Sequence, residues 1–129
     1  MKIFSINKDD WSNGLALLAD SYRLFGPLKE DEFHNFKELA KGELPDLEYL
    51  NSRLSPKSII YPQSEVMFEY SLDESAEDHH IMKEVDKDYS PRAVIGIRPC
   101  DAKAFVLVNH NFDTPEYKDP YWIKACEAT

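Results

Sequence analysis

The sequence predicts a small α/β domain: a mixed or partly parallel sheet with flanking helices, in an incomplete, truncated α/β unit. Three observations predict it. A continuous apolar run, Ala93-Val94-Ile95-Gly96-Ile97, enters a tight turn at Arg98-Pro99-Cys100-Asp101 and then a helical stretch from Ala102 to His110. A strand feeding a helix in this way is half of a βαβ unit. The 129 residues, 43% hydrophobic and 12% aromatic, suit a single domain spanning 1–129 that buries about two-thirds of its unfolded surface. A helix after Pro120 should feed a further strand, yet the sequence stops at Cys126-Glu127-Ala128-Thr129.

The elements follow in order. Residues 1–7 alternate around Ile3, Phe4 and Ile6 and predict a short strand. Asp9 or Asp10 caps a helix whose Trp11, Leu15, Leu18 and Tyr22 share a face. Gly26-Pro27 breaks that pattern. From Leu28 to Ala40 the periodicity is ambiguous: Phe33 and Phe36 fit one side of a helix or alternate faces of a strand. Ser55-Pro56-Lys57-Ser58 is a helix start, with a hydroxyl cap followed by a proline whose missing N–H costs nothing there, and Pro62 keeps the helix short. Glu65 to Ser71 predicts a strand with Val66, Phe68 and Tyr70 on one face. Asp73 to Asp88 is acidic and predicts an exposed loop. The run at 93–97 predicts a strand buried on both faces, and Tyr121 to Glu127 a final helix.

Charge narrows the function. Twenty-four acids against 15 bases give a net charge of -9, which repels phosphate backbones and anionic lipid and suits docking on a basic protein surface. No stretch approaches the roughly 18 apolar residues of a membrane helix, and the N-terminus lacks a signal-peptide pattern, so a cytoplasmic location is expected. Cys100 and Cys126 are the only cysteines, too few to hold an iron–sulfur cluster or a structural zinc alone. No metal site is expected within this chain. Phosphate-binding glycine loops, a serine nucleophile elbow and zinc-hydrolase histidine pairs are missing. His79-His80 reads as part of a solvated loop, because adjacent histidines diverge in most backbones.

The turn at Arg98-Pro99-Cys100-Asp101 is where chemistry is expected. It lies beyond the carboxyl end of a strand, where loops of open α/β sheets bind ligands. A helix N-terminus and the Arg98 guanidinium both favour a thiolate at Cys100, and Asp101 is positioned to cap the helix. The same residues also fit a structural corner, with Cys100 as a small apolar filler and Arg98 paired to a surface acid. Lys57, Tyr61, Gln63 and Glu65 form a second polar group. Glu65 suits a general base or an ion pair. Cys126 reads as an incidental thiol.

Ser55-Pro56-Lys57, Tyr61-Pro62-Gln63-Ser64-Glu65, Gly96-Ile97-Arg98-Pro99-Cys100-Asp101, Phe112 and Asp119-Pro120-Tyr121 together resemble one family. It is the family of four-iron–four-sulfur dicluster electron-transfer proteins that includes components of anaerobic sulfite reductase and of sulfhydrogenase. The match covers residues 55–121 and is most specific at Gly96–Asp101. Family members hold their clusters in ferredoxin-like cysteine runs later in the chain. The resemblance therefore implies a cluster-free N-terminal domain, with no catalytic residues and no cofactor of its own, in a longer protein carrying 4Fe-4S clusters. It implies cofactor-edge roles for Arg98, Cys100 and Asp101 and weaker ones for Lys57 and Glu65. The implied partners are the cluster-binding C-terminal region and the flavin or NAD(P) subunit, or the hydrogenase or reductase subunit, of an anaerobic oxidoreductase. An acidic adaptor without redox function, and a small thiol enzyme using Cys100, are the alternatives.

Overall fold

The computed structural model describes residues 4–129. Its centre is strand β1 (Arg23–Glu30), flanked by antiparallel β2 (Phe33–Glu38) and by a three-residue parallel strand at Arg92–Val94. Helix α1 (Trp11–Ala19) precedes the sheet, entered through a 3₁₀ turn at Lys8–Asp10. Two-residue strands β3 (Phe68–Glu69) and β4 (Lys83–Glu84) pair antiparallel as a separate ribbon. The parallel strand Arg92–Val94 is thus β5. It leads into α2 (Pro99–Phe112), followed by α3 (Pro120–Glu127). The expected small α/β fold with a mixed, partly parallel sheet and flanking helices is the fold observed.

Gly26-Pro27 does not end an element; it lies in the middle of the central strand. The reason is the direction of the backbone groups. Leu24 O accepts from Leu39 N on the β2 side, whereas Phe25 O accepts from Ile95 N and Pro27 O from Asp46 N on the other side. The N–H that Pro27 lacks would point to that same side, where the pairing with β5 ends at Val94 and the Pro27 ring lies beside Gly96 in place of a further ladder bond. Gly26 is required for a different reason: a Cβ there would lie 2.7 Å from Pro45 Cβ. The β1–β2 connection is a two-residue loop with Asp31 at φ 45°, a conformation aspartate tolerates better than most residues. The strand alternative for residues 28–40 is the one that forms. Phe33 is exposed and Phe36 buried, on opposite faces of β2.

Other expectations are corrected. Residues 4–7 form no strand, and Ile3 lies outside the described residues. The predicted strand over 65–71 contracts to Phe68–Glu69, because its partner is itself only two residues long. That partner, β4, arises inside the segment read as an acidic loop. Ala93–Ile97 is half-buried rather than enclosed, since β5 lies at the edge of the sheet, not at its centre.

Two small clusters hold the domain together. Leu15, Leu24 and Leu39 are buried with Trp11, Leu28, Ala93 and Ile95 packed around them, joining α1 to the sheet. Trp122 is 3% exposed and stacks on Phe112 at 5.6 Å, with Tyr61 edge-on at 6.1 Å. Its Nε1–H donates to Asn109 Oδ1 at 2.6 Å, satisfying the polar end of a buried ring. The predicted final helix forms one residue earlier than expected, at Pro120, and Asp119 caps it by accepting from Trp122 N at 2.7 Å. Arg92 N donates to Ala128 O and ties the end of α3 to β5.

Between β2 and α2 the chain from Pro45 to Ile59 runs as a strap over the sheet end. Asp46 N donates to Pro27 O, and the Asp46 carboxylate pairs with the His34 ring at 2.8 Å. Leu47 lies against Gly96, whose φ of 75° only glycine adopts freely; a Cβ there would meet Leu47 Cδ2 at 2.7 Å and Pro27 at 3.3 Å. Gly96→Ala is therefore expected to cost about 1–2 kcal/mol from backbone conformation alone, with the collision adding to it, read as a lower urea midpoint at unchanged slope. The hydrogen bond with His34, followed by the Glu48 amide, lowers the Asp46 pKa from its ordinary 3.8. A depressed carboxyl contributes stability above its unfolded pKa that is lost as pH falls through the folded one. Asp46→Asn should consequently flatten the acid limb of a stability–pH curve below about pH 4 and leave the neutral region with a smaller loss than the alanine variant.

Candidate functional site at the start of helix α2

β5 delivers the chain to the carboxyl end of the sheet, and left-handed Gly96 turns it toward α2. Arg98 occupies the N-cap position with extended backbone (φ -76°, ψ 150°), Pro99 the first helical position, Cys100 the second and Asp101 the third. Pro99 suits its position because the N–H it lacks would have no helical acceptor. Ala102 N donates to Arg98 O at 2.9 Å and closes the first turn.

The strap fixes the side chains around this corner. Tyr49 O–H donates to Gly96 O at 2.9 Å. The Arg98 guanidinium lies 5.0 Å from the centre of the Tyr49 ring and donates from Nη2 to Tyr49 O at 3.3 Å, a cation–π contact with a hydrogen bond at its edge. Asp101 does not cap α2, contrary to the sequence expectation: no side chain caps it. Its Oδ1 instead accepts from Ser55 Oγ at 3.0 Å and Lys57 Nζ at 3.2 Å. A residue three positions into a helix points back over the first turn, within reach of a neighbouring segment. The carboxylate also sits where the helix dipole favours negative charge. Ser55 does two things: its Oγ accepts from Lys57 N at 3.4 Å to cap the 3₁₀ turn Pro56–Ile59, and donates to Asp101. Arg92 adds a further tie, donating to Ile59 O at 2.9 Å.

Arg98, Cys100, Asp101 and Lys57 therefore share one corner. Glu65 does not join them. It pairs with Lys87 at 2.6 Å, and the Lys87 ammonium lies 5.6 Å over the Tyr121 ring, so Glu65 belongs to the contact between the ribbon and α3. Tyr61 of the same polar group is taken up by the Phe112–Trp122 cluster. Tyr49 is the member of the corner that the sequence did not reveal. Its neighbours carry no periodicity, and its two hydrogen bonds reach 47 and 49 residues away.

Cys100 is exposed, whereas Cys126 is half-buried in α3. Burial, and secondarily the Asp113 carboxylate, push the Cys126 thiol above its ordinary value. Among the described residues no group of three or more His, Cys, Asp or Glu side chains is placed to hold a metal ion. An open groove of about 760 Å³ lies elsewhere, between α1, the start of β1 and residues 39–44, and none of the five predicted site residues lines it. Among the described residues no helix is long and apolar enough to cross a membrane. In comparisons with known proteins, no family model, no curated protein and no solved structure matches this chain.

The corner thus presents one accessible thiol beside a fixed arginine and a carboxylate held by lysine. With a maleimide at neutral pH, the Cys126→Ser chain (Cys100 remaining) should label several-fold faster than the Cys100→Ser chain. Equal rates would contradict the placement of the two thiols.

Proposed function

We propose that this chain is the cluster-free N-terminal domain of an iron–sulfur electron-transfer subunit in a cytoplasmic anaerobic oxidoreductase of hydrogenase or sulfite reductase type. Its work is structural: it packs against the cluster-binding region and docks partner subunits, with Arg98, Cys100 and Asp101 at the edge of the cofactor site. The observation that supports this is Cys100 itself. It is exposed at the carboxyl end of a strand, in the segment where the family resemblance is most specific, while its neighbours Arg98 and Asp101 are pinned by the strap. A thiol serving only as core filler would be sealed. Two cysteines cannot complete a four-ligand cluster, so in this proposal the cluster ligands come from the later part of a longer protein.

Anaerobic iron and sulfide reconstitution of the chain, expressed with the sequence that its gene carries beyond Thr129, tests the proposal. Bound iron and acid-labile sulfide with visible charge-transfer absorbance are expected, and Cys100→Ala should lower iron content or slow cluster assembly. Absence of iron from the extended chain would overturn the proposal in favour of an acidic adaptor domain.

A further inference from the structure

The ribbon of β3 and β4 belongs to an arm, residues 63–88, in which no residue is buried. Residues 65–88 carry nine acids against two lysines, and so hold seven of the chain's nine net negative charges. The two lysines are engaged, Lys83 with Asp78 and Lys87 with Glu65. Glu69, Glu74, Glu77, Glu84 and Asp86 are exposed.

The register decides which way the apolar residues face. Phe68 is opposite Glu84 and Glu69 opposite Lys83, Val85 N donates to Met67 O one pair further out, and beyond Glu69 the chain changes partner, with Ser71 bridging His79. Side chains alternate along each strand, which places Phe68 on one face with Glu84. Met67, Glu69, Lys83 and Val85 take the other, of which only Val85 is half-buried. Val85 and the ion-paired Lys87 are half-buried toward the body of the domain. Phe68 is 56% exposed, and the apolar residues flanking the paired strands are open as well: Val66 65%, Tyr70 62% and Met82 66%. A solvated two-stranded ribbon normally turns polar residues outward, and an isolated one is marginal in water. Here exposed aromatic and aliphatic side chains stand among exposed acids.

We infer that the arm is a docking surface for a partner protein that presents an apolar patch ringed by lysine and arginine. Charge complementarity selects that occupant. A second copy would bring the same excess of acid against itself, and nucleic acid or anionic lipid would be repelled as well. The exposed aromatics are the residue types that anchor interfaces, while the exposed acids steer the encounter. The inference rests on the docking half of the proposed function and not on the clusters; an extended chain that binds no iron can still dock through the arm.

The test uses an amphipathic lysine–leucine peptide as probe and a glutamate–leucine peptide of the same pattern as control, with amide shifts mapped by NMR and affinity read by anisotropy. The lysine–leucine peptide should perturb residues 66–86, bind more weakly as salt rises, and lose about tenfold or more in affinity on Phe68→Ser with Tyr70→Ser. Both substitutions fall on exposed positions, so an unchanged thermal midpoint verifies that the fold persists. Four results would each overturn the inference: equal binding of the acidic peptide, no binding or shifts elsewhere on the domain, an affinity indifferent to the double substitution, or self-association of the chain that the double substitution abolishes. Arm amides already covered in the extended chain, with no probe binding, would assign the arm to the protein's own later residues and overturn it also.

Discussion

The close approach of the strap to Gly96 is the constraint on which the rest of the corner depends. Gly96 must be left-handed to turn the chain from β5 into α2, and it must lack a Cβ to admit Leu47 and Pro27. Once Leu47 is seated there, Tyr49 follows two residues later, with its hydroxyl on Gly96 O and its ring under Arg98. The strap then reaches the 3₁₀ turn in the register that brings Ser55 and Lys57 to Asp101. Each of these contacts is modest alone. An ion pair with half-exposed partners, such as Lys57 with Asp101, contributes well under the value of a buried one. Their effect comes from being consecutive: one backbone geometry places Leu47, Tyr49, Ser55 and Lys57, and a residue with a side chain at 96 would displace the whole series.

The sequence revealed those parts of the fold whose signals are local. Ser55-Pro56 announced a helical turn, and its cap forms as a hydrogen bond to the expected oxygen, although the expected aspartate cap of α1 makes no such bond. The passage from an apolar strand through a proline turn into α2 was equally plain. Where an element depended on a distant partner, it was lost or misassigned. Gly26-Pro27 has the composition of a break, yet Pro27 sits in a central strand, its ring beside Gly96 at the point where the pairing with β5 ends. β4 has no strand pattern of its own and exists because Phe68 and Glu69 pair with it. The edge position of β5 likewise cannot be read from an apolar run, which looks the same in a central strand.

The candidate site divides along the same line. Arg98, Cys100 and Asp101 are near neighbours in one turn motif, which identified all three, and Lys57 came with its neighbouring cap. Their roles were not legible. Asp101 has the chemistry of a cap and is used as an acceptor for Ser55 and Lys57, because the strap offers donors that an isolated helix would not have. Tyr49 had no signal at all: its two partners are set by chain geometry across nearly fifty residues. Glu65 was grouped with Lys57 by proximity in sequence, and the intervening turn carries it to Lys87 instead.

Burial and charge in this chain are distributed in a way that joins the corner to the arm. Among the described residues, the buried apolar side chains include Leu15, Leu24, Phe36, Leu39, Trp122 and Ala125, which lie in α1, in α3, or in and just after the sheet. The arm contributes none of them, although it holds aromatic and aliphatic residues at strand spacing. Burying a side chain of that size is worth about 1.5–3 kcal/mol, so the arm leaves unused a favourable energy that the small core could have taken up. The acids explain why it does not. Folding the Phe68 face of the ribbon inward would bring Glu84 under the sheet without a cation to meet it, and an unpaired buried carboxylate costs more than a buried phenylalanine returns. The arm is anchored to the domain through Glu65, Lys87 and Tyr121 and leaves Phe68 and its apolar neighbours exposed among the acids.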